Sequence, residues 1–94
     1  MKQLRYLEQT WLIGDVTAGI LLDHAAALAR SGLAEHISLR VLDVNGAPAQ
    51  IEFLIGPATM MTAEPAPNEF PAPDNDEMEQ SMLGRTGELN AAAS

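Results

Sequence analysis

A run of prolines divides this chain into two parts of different character. Four of its six prolines lie in residues 65–73. Up to residue 63 the chain carries six acidic and four basic side chains, but from residue 64 onwards it carries seven acidic side chains and one arginine. Proline-rich, acidic sequence favours an extended chain, because it cannot bury enough apolar surface to offset the entropy of folding. We therefore predict a small folded domain over residues 1–64 and a disordered acidic tail over residues 65–94.

Two short runs at the start of the chain have the pattern of β-strands. Residues 3–7 alternate between apolar and polar side chains, and residues 10–13, "TWLI", are rich in strand-forming types. We expect a hairpin with Glu8 and Gln9 in its turn.

The stretch "GDVTAGILLDHAAALARSG" predicts a helix over residues 16–31. Alanine and leucine dominate it, and both are good helix formers. Asp15 or Thr17 is expected to cap its start, and Gly32 falls where a left-handed residue ends many helices. One apolar face results, formed by Val16, Ile20, Leu21, His24, Ala25 and Leu28.

The next segment predicts a second group of strands. "HISLRVLDV" and "AQIEFLIG" alternate as strands do, and Asn45-Gly46 between them is a strong turn signal. After the break at Gly56-Pro57, "ATMMTAE" can form a third strand. The order is ββαβββ, an α+β fold with one helix on a small antiparallel sheet. Because one helix covers one sheet face, a homodimer that packs the bare faces or pairs free edges is expected.

Composition argues against several classes of protein. The chain has no cysteine and a net charge of -8, so disulfides, thiol chemistry and direct nucleic-acid binding are not expected. The longest apolar-rich run, "AGILLDHAAALA", is too short to span a membrane, and the start "MKQLRYLEQTWLIGD" is not expected to act as a signal peptide, because it has no apolar run behind a basic end. We expect a cytoplasmic protein that needs no cofactor.

The candidate chemical residues favour a protein that is not an enzyme. His24 lies on the apolar helix face, which indicates a hydrogen-bonded core histidine, and no histidine spacing fits a metal site. No serine lies in a nucleophile motif, and the only lysine is Lys2. The alternative is a small-molecule-binding or catalytic cleft near His24 or near the Gly56-Pro57 bend.

Binding to another protein is the preferred hypothesis. Trp11 and Met60 are residue types favoured at interfaces, although both also serve as core residues. In the tail, Asp74 and Glu77 fit a capping box, so a short helix over residues 74–83 would place Met78, Met82 and Leu83 on one face. Such a helix could dock in a groove of an unknown protein partner. A tail that only confers solubility, one that packs on its own domain, and one that mimics nucleic acid remain open.

The pattern over residues 3–64 also resembles a group of short uncharacterised actinobacterial proteins. The resemblance rests on the β-hairpin, the helix "AGILLDHAAALARSG" and the segment "FLIGPAT" at residues 53–59. It implies a small α+β fold of unknown function, and it carries over no catalytic residues.

Overall fold

A computed structural model describes residues 1–67 and 70–93, and the predicted order ββαβββ is confirmed within them, followed by one more helix. The fold is α+β. The elements are β1 (Lys2–Tyr6), β2 (Gln9–Ile13), α1 (Asp15–Ser31), β3 (Glu35–Leu42), β4 (Pro48–Ile55), β5 (Met61–Pro65) and α2 (Asp76–Ala93).

All five strands of the described residues belong to one antiparallel sheet, in the order β4-β3-β2-β1-β5. The two hairpins pair along their whole length, whereas β2 and β3 share a single register pair, Leu12 with Leu42. The ladder between β2 and β3 is therefore limited to this one pair.

The sheet curls strongly because of this weak junction. Tyr6 on β1 and Phe53 on β4 are separated by two intervening strands, which in a flat sheet would put them about 14 Å apart. Their ring centroids are 5.1 Å apart, and the Tyr6 hydroxyl donates to the Leu54 carbonyl oxygen at 3.0 Å. The concave face holds most of the buried strand residues, Leu4, Ile13, Ile37, Leu39, Val41, Phe53 and Ile55.

Helix α1 forms as predicted but begins differently. Gly14 is its N-terminal cap residue and makes no side-chain cap bond. The expected caps have other partners: Asp15 pairs with the chain's amino terminus at 3.1 Å, and Thr17 donates to Glu79. Gly32 ends the helix with φ +67°, as predicted. Val16, expected on the buried face, is 68% exposed, because the face that packs inward is centred on Leu21 and Leu28.

The disordered tail that the sequence predicts is not found in residues 76–93, which form α2. Its first turn is acidic, which suits the positive end of a helix dipole. Gly84 and Gly87 each cost about 1 kcal/mol of helix propensity relative to alanine. Burial of Met82 and Leu89 in the core offsets that cost, so α2 is held by tertiary packing. The domain therefore has a second helix besides the predicted one, and the short helix considered over residues 74–83 is found as a longer helix over Asp76–Ala93.

The two helices run parallel, side by side. Three side-chain bonds join them: Thr17 with Glu79, His24 with Thr86, and Arg30 with Asn90. The first two pairs are seven residues apart on both helices, so the contacts repeat every two turns along one shared face.

Asn75 fixes the start of α2 against β3. Its side-chain amide accepts from the Arg40 backbone N–H and donates to the Arg40 carbonyl oxygen, both at 2.8 Å. These two bonds take the place of a neighbouring strand, which β3 lacks at Arg40 because β2 pairs with it only at Leu42. The bond that Asp74 makes differs from the predicted capping box with Glu77, because its carboxylate accepts from the Asp76 N–H at 3.0 Å.

Candidate functional site

A polar cluster that runs from the buried His24 to the surface joins α1, β3 and α2. His24 is fully buried, and its Nδ1 lies 3.0 Å from the Thr86 hydroxyl while its Nε2 lies 2.8 Å from Glu35 Oε1. The other Glu35 oxygen accepts from Arg85 Nε at 3.0 Å and from Arg85 Nη2 at 2.7 Å. Arg85 also pairs with Glu88 at 2.8 Å. The sequence-based interpretation of His24 as a hydrogen-bonded core histidine agrees with this geometry.

The electrostatics of the cluster favour an ionised Glu35. Partial burial opposes ionisation, but hydrogen bonds from His24 and Arg85 outweigh it and hold the pKa of Glu35 below its ordinary value. The hydrogen bonds from Arg85 to Glu35 and Glu88 raise the pKa of Arg85 in return. The cluster is therefore a charged clamp whose strength depends on the Glu35 carboxylate.

The order hydroxyl, imidazole, carboxylate in this cluster resembles that of a nucleophile, a base and an orienting acid. Such a triad needs a nucleophile that substrate can reach and donors for the developing oxyanion. Here the imidazole is enclosed on all sides, and the carboxylate is shared with an arginine. The geometry suits a structural tie between three elements better than catalysis.

An apolar surface covers one end of the sheet, where the β1–β2 turn meets the β4–β5 loop. Leu7, Leu54 and Met60 are exposed there by 72%, 62% and 82%. They border a groove of about 430 Å³ whose lining includes Tyr6 and Pro57. We call this the end surface. It lies on the opposite end of the curled sheet from the start of α2.

Leu7 is unfavourable for the stability of the folded chain in two ways. It occupies the first central position of a two-residue hairpin turn, with φ +57°. That conformation favours glycine, and a bulky residue there costs on the order of 1 kcal/mol. Its side chain also exposes apolar surface to water without packing in the core. Because it is unfavourable for folding on both counts, Leu7 is a candidate for a functional residue.

The opposite wall of the groove depends on Gly56. A Cβ on this residue would lie 3.0 Å from the Ala34 Cβ and 3.3 Å from the Leu33 carbonyl oxygen. The glycine therefore lets the β4–β5 loop approach the α1–β3 connection. The Gly56 N–H donates to Thr59 Oγ1 at 2.8 Å, which closes the loop into a tight turn.

The residues predicted to bind a partner do not form one surface. Met60 belongs to the end surface, while Leu83 is 49% exposed on α2. Met82 is 1% exposed and lies in the core of its own chain, and Met78 and Trp11 are partly buried against that core. The three tail residues thus pack inward or lie apart from the end surface.

No protein-family model, curated protein or solved structure matches the chain. The resemblance to short actinobacterial proteins therefore stays a prediction. Neither α1 nor α2, the helices of the described residues, is long and apolar enough to cross a membrane. Within residues 1–67 and 70–93, no three His, Asp or Glu side chains are grouped so that they could hold a metal ion.

Sequence reasoning missed most of the end surface. It placed Leu7 in a strand and put the turn at Glu8 and Gln9, whereas the turn is at Leu7 and Glu8. The available signal was an apolar residue at a position where a two-residue hairpin turn prefers Gly, Asn or Asp. Leu54 had no such signal, since an apolar residue on the outer face of a strand reads as an ordinary strand residue.

Proposed function

We propose that this protein is a non-enzymatic interaction module that binds a protein partner through the end surface. The observation that carries the proposal is the cluster of Leu7, Leu54 and Met60, three large apolar side chains exposed by more than half around one groove. Contiguous exposed apolar patches rimmed by polar residues mark interaction sites in soluble domains. Met60 adds a flexible side chain that adapts to a partner's surface.

The tail has a different role in this proposal from the one that its sequence favoured. Among the alternatives, packing of the tail on its own domain fits the burial of Met82 and Leu89 best. Helix α2 then supplies core and rigidity, while the end surface supplies recognition.

The small-molecule alternative is weaker for a chemical reason. The Gly56-Pro57 bend does line the groove, but the two hydroxyls there are already used. Tyr6 donates to the Leu54 carbonyl oxygen, and Thr59 accepts from the Gly56 N–H. Small-molecule sites need convergent polar groups to orient the ligand, so this apolar groove suits a side chain of a protein partner better.

Site-specific photo-crosslinking tests the proposal. A photoreactive amino acid at Met60 is compared with one at Val44, which is 57% exposed in the β3–β4 turn at the other end of the sheet. We expect a protein to be trapped from position 60 and not from position 44, and Leu7→Lys in the same chain should abolish the trapping.

The full chain with Leu7→Lys must keep its fold by circular dichroism for that comparison to count. Equal trapping from positions 44 and 60, or trapping from position 60 that Leu7→Lys leaves intact, would contradict the end surface as the binding site.

A further inference from the structure

β4 lies at one edge of the sheet, and its outward hydrogen-bonding groups can be assigned residue by residue. In an antiparallel ladder, each residue directs both its N–H and its C=O to the same side. Asp43 donates its N–H to the Ala47 carbonyl oxygen at 2.8 Å across the β3–β4 turn. The register pairs in step with it, such as Val41 with Ala49, therefore bond across the hairpin. The even-numbered residues of β3 and β4 therefore point away from each other.

Two side-chain bonds confirm this assignment independently. Asn75 binds both backbone groups of Arg40 from outside the hairpin, and Tyr6 binds the Leu54 carbonyl oxygen from outside it. The outward groups on β4 are consequently those of Pro48, Gln50, Glu52 and Leu54. In the part of the chain that the structure describes, β3 is the only strand with which β4 pairs.

This edge is asymmetric in a way that makes it complementary to itself. Pro48 has a carbonyl but no N–H, at one end of the edge. Leu54, at the other end, has an N–H, but its carbonyl oxygen is already bonded by Tyr6. A second copy running antiparallel brings Pro48 opposite Leu54, so the residue without a donor faces the residue whose acceptor is taken.

We infer that two copies of this chain pair through β4, with Gln50 of one copy opposite Glu52 of the other. In that register six hydrogen bonds form and every outward donor of Gln50, Glu52 and Leu54 finds an acceptor. The result is one continuous sheet of ten strands across the two copies.

The two neighbouring registers of this strand pair form fewer hydrogen bonds. Shifting so that Glu52 faces Glu52 sets like charges opposite each other and points the Gln50 N–H at the occupied Leu54 oxygen. Shifting so that Gln50 faces Gln50 leaves the Leu54 N–H and the Glu52 carbonyl without partners. Each of these registers keeps four bonds instead of six.

Alternative edges fit less well. β5 is five residues long, against eight for β4, and it ends in Pro65. A short edge discourages strand pairing, and since β4 also has a terminal proline, Pro48, length is what separates the two edges. The inference rests on the backbone of β4 and not on the proposed role of Leu7 and Met60, so either can fail while the other stands.

The first test is the mass of the full chain in solution. Light scattering behind size exclusion, from about 5 to 500 µM, should show a species of twice the 10.0 kDa chain mass at the higher concentrations. Glu52→Pro removes an N–H that the isolated hairpin does not use, and it should shift the chain to a monomer. Glu52→Thr loses the same carboxylate but keeps the N–H, so it should remain a dimer. A wild-type monomer throughout, or a Glu52→Pro dimer, would overturn the inference.

Cysteine cross-linking fixes the register without depending on the proline variant. The chain has no cysteine, so Gln50→Cys and Glu52→Cys each introduce one exposed thiol. Opposite residues of a bonded pair lie about 5.5 Å apart, within disulfide reach, whereas identical residues would be about 8–9 Å apart.

We expect a disulfide dimer to form rapidly only when the two variants are mixed. Rapid cross-linking of Glu52→Cys alone or of Gln50→Cys alone would identify a shifted register and overturn the assignment. No cross-linking in any of the three samples would overturn pairing through β4 itself.

Discussion

Removing the Asn75 amide should loosen α2 from the sheet. The Asn75 side chain is 6% exposed and makes two bonds of 2.8 Å to the backbone of Arg40, so Asn75→Ala deletes both at once. A hydrogen bond contributes about 1 kcal/mol net, which gives a loss of about 2 kcal/mol. For a chain of this size, that corresponds to a fall in Tm of roughly 8–16 °C.

Asn75→Asp separates the two bonds. The carboxylate can still accept from the Arg40 N–H, but it places a second acceptor against the Arg40 carbonyl oxygen. At neutral pH we expect Asn75→Asp to cost at least as much stability as Asn75→Ala. Relative to wild type, the aspartate variant should recover part of the loss in acid, because the protonated carboxyl regains a donor.

Urea unfolding followed by two probes measures both effects. Circular dichroism at 222 nm reports the helices, and the fluorescence of Trp11, the only tryptophan, reports the sheet. We expect the helical signal of Asn75→Ala to fall before the fluorescence changes. Asn90→Ala is the matched control, since it removes one exposed bond to Arg30 and should cost about 0.5 kcal/mol or less. A loss below about 0.5 kcal/mol for Asn75→Ala would refute the role assigned to this amide.

Three further outcomes follow from the packing and the charged cluster. The pKa of Glu35 is lower in the folded state than in the unfolded state, so the ionised carboxylate stabilises the folded protein. This contribution is fully present above the unfolded-state pKa of about 4.3, and it is lost as the pH falls through the lower folded-state pKa. The stability gap between wild type and Glu35→Gln, measured by urea titration, should be widest near pH 7 and close in acid; a gap that does not change with pH would contradict the clamp. Met82→Ala should cost about 2–5 kcal/mol, whereas Leu83→Ala should stay within about 0.5 kcal/mol, and equal losses in urea unfolding would mean that α2 does not pack as described. Gly56→Ala should lower Tm, because the new Cβ would lie too close to Ala34 and Leu33. An unchanged Tm in a thermal melt would show that the β4–β5 loop can shift without loss of stability.

Local sequence was enough to predict the strands, α1 and the order in which they follow one another. Strand alternation, the alanine-rich run and the Asn45-Gly46 turn each act over a few residues, so they are readable without knowing the rest of the fold. Gly46 has φ +87°, and Gly32 ends α1 in the left-handed conformation. Strand boundaries moved by one to three residues, which is enough to put Leu7 in a turn and not in a strand.

The sequence alone did not show that the acidic segment forms a long helix packed on its own domain. Low apolar content and two glycines argue against a stable isolated helix, although the spacing of Asp74 and Glu77 had favoured a short helix over residues 74–83. What the sequence does not show is that Met82 and Leu89 find a core to enter, or that Asn75 finds unpaired backbone at Arg40. These contacts join residues 35 or more positions apart, so they exist only after the hairpins and α1 are in place.

The same division holds for the two proposed surfaces. The sequence by itself determined that the five strands and α1 form and in which order, because hydrophobic period and turn chemistry act within a few residues of each other. Tertiary structure alone decided that β2 and β3 part after one pair, that the curl brings Tyr6 to Leu54, and that Leu7 and Met60 meet at one end. Those outcomes depend on how separate elements share a limited core, and that competition is settled only when the whole chain packs.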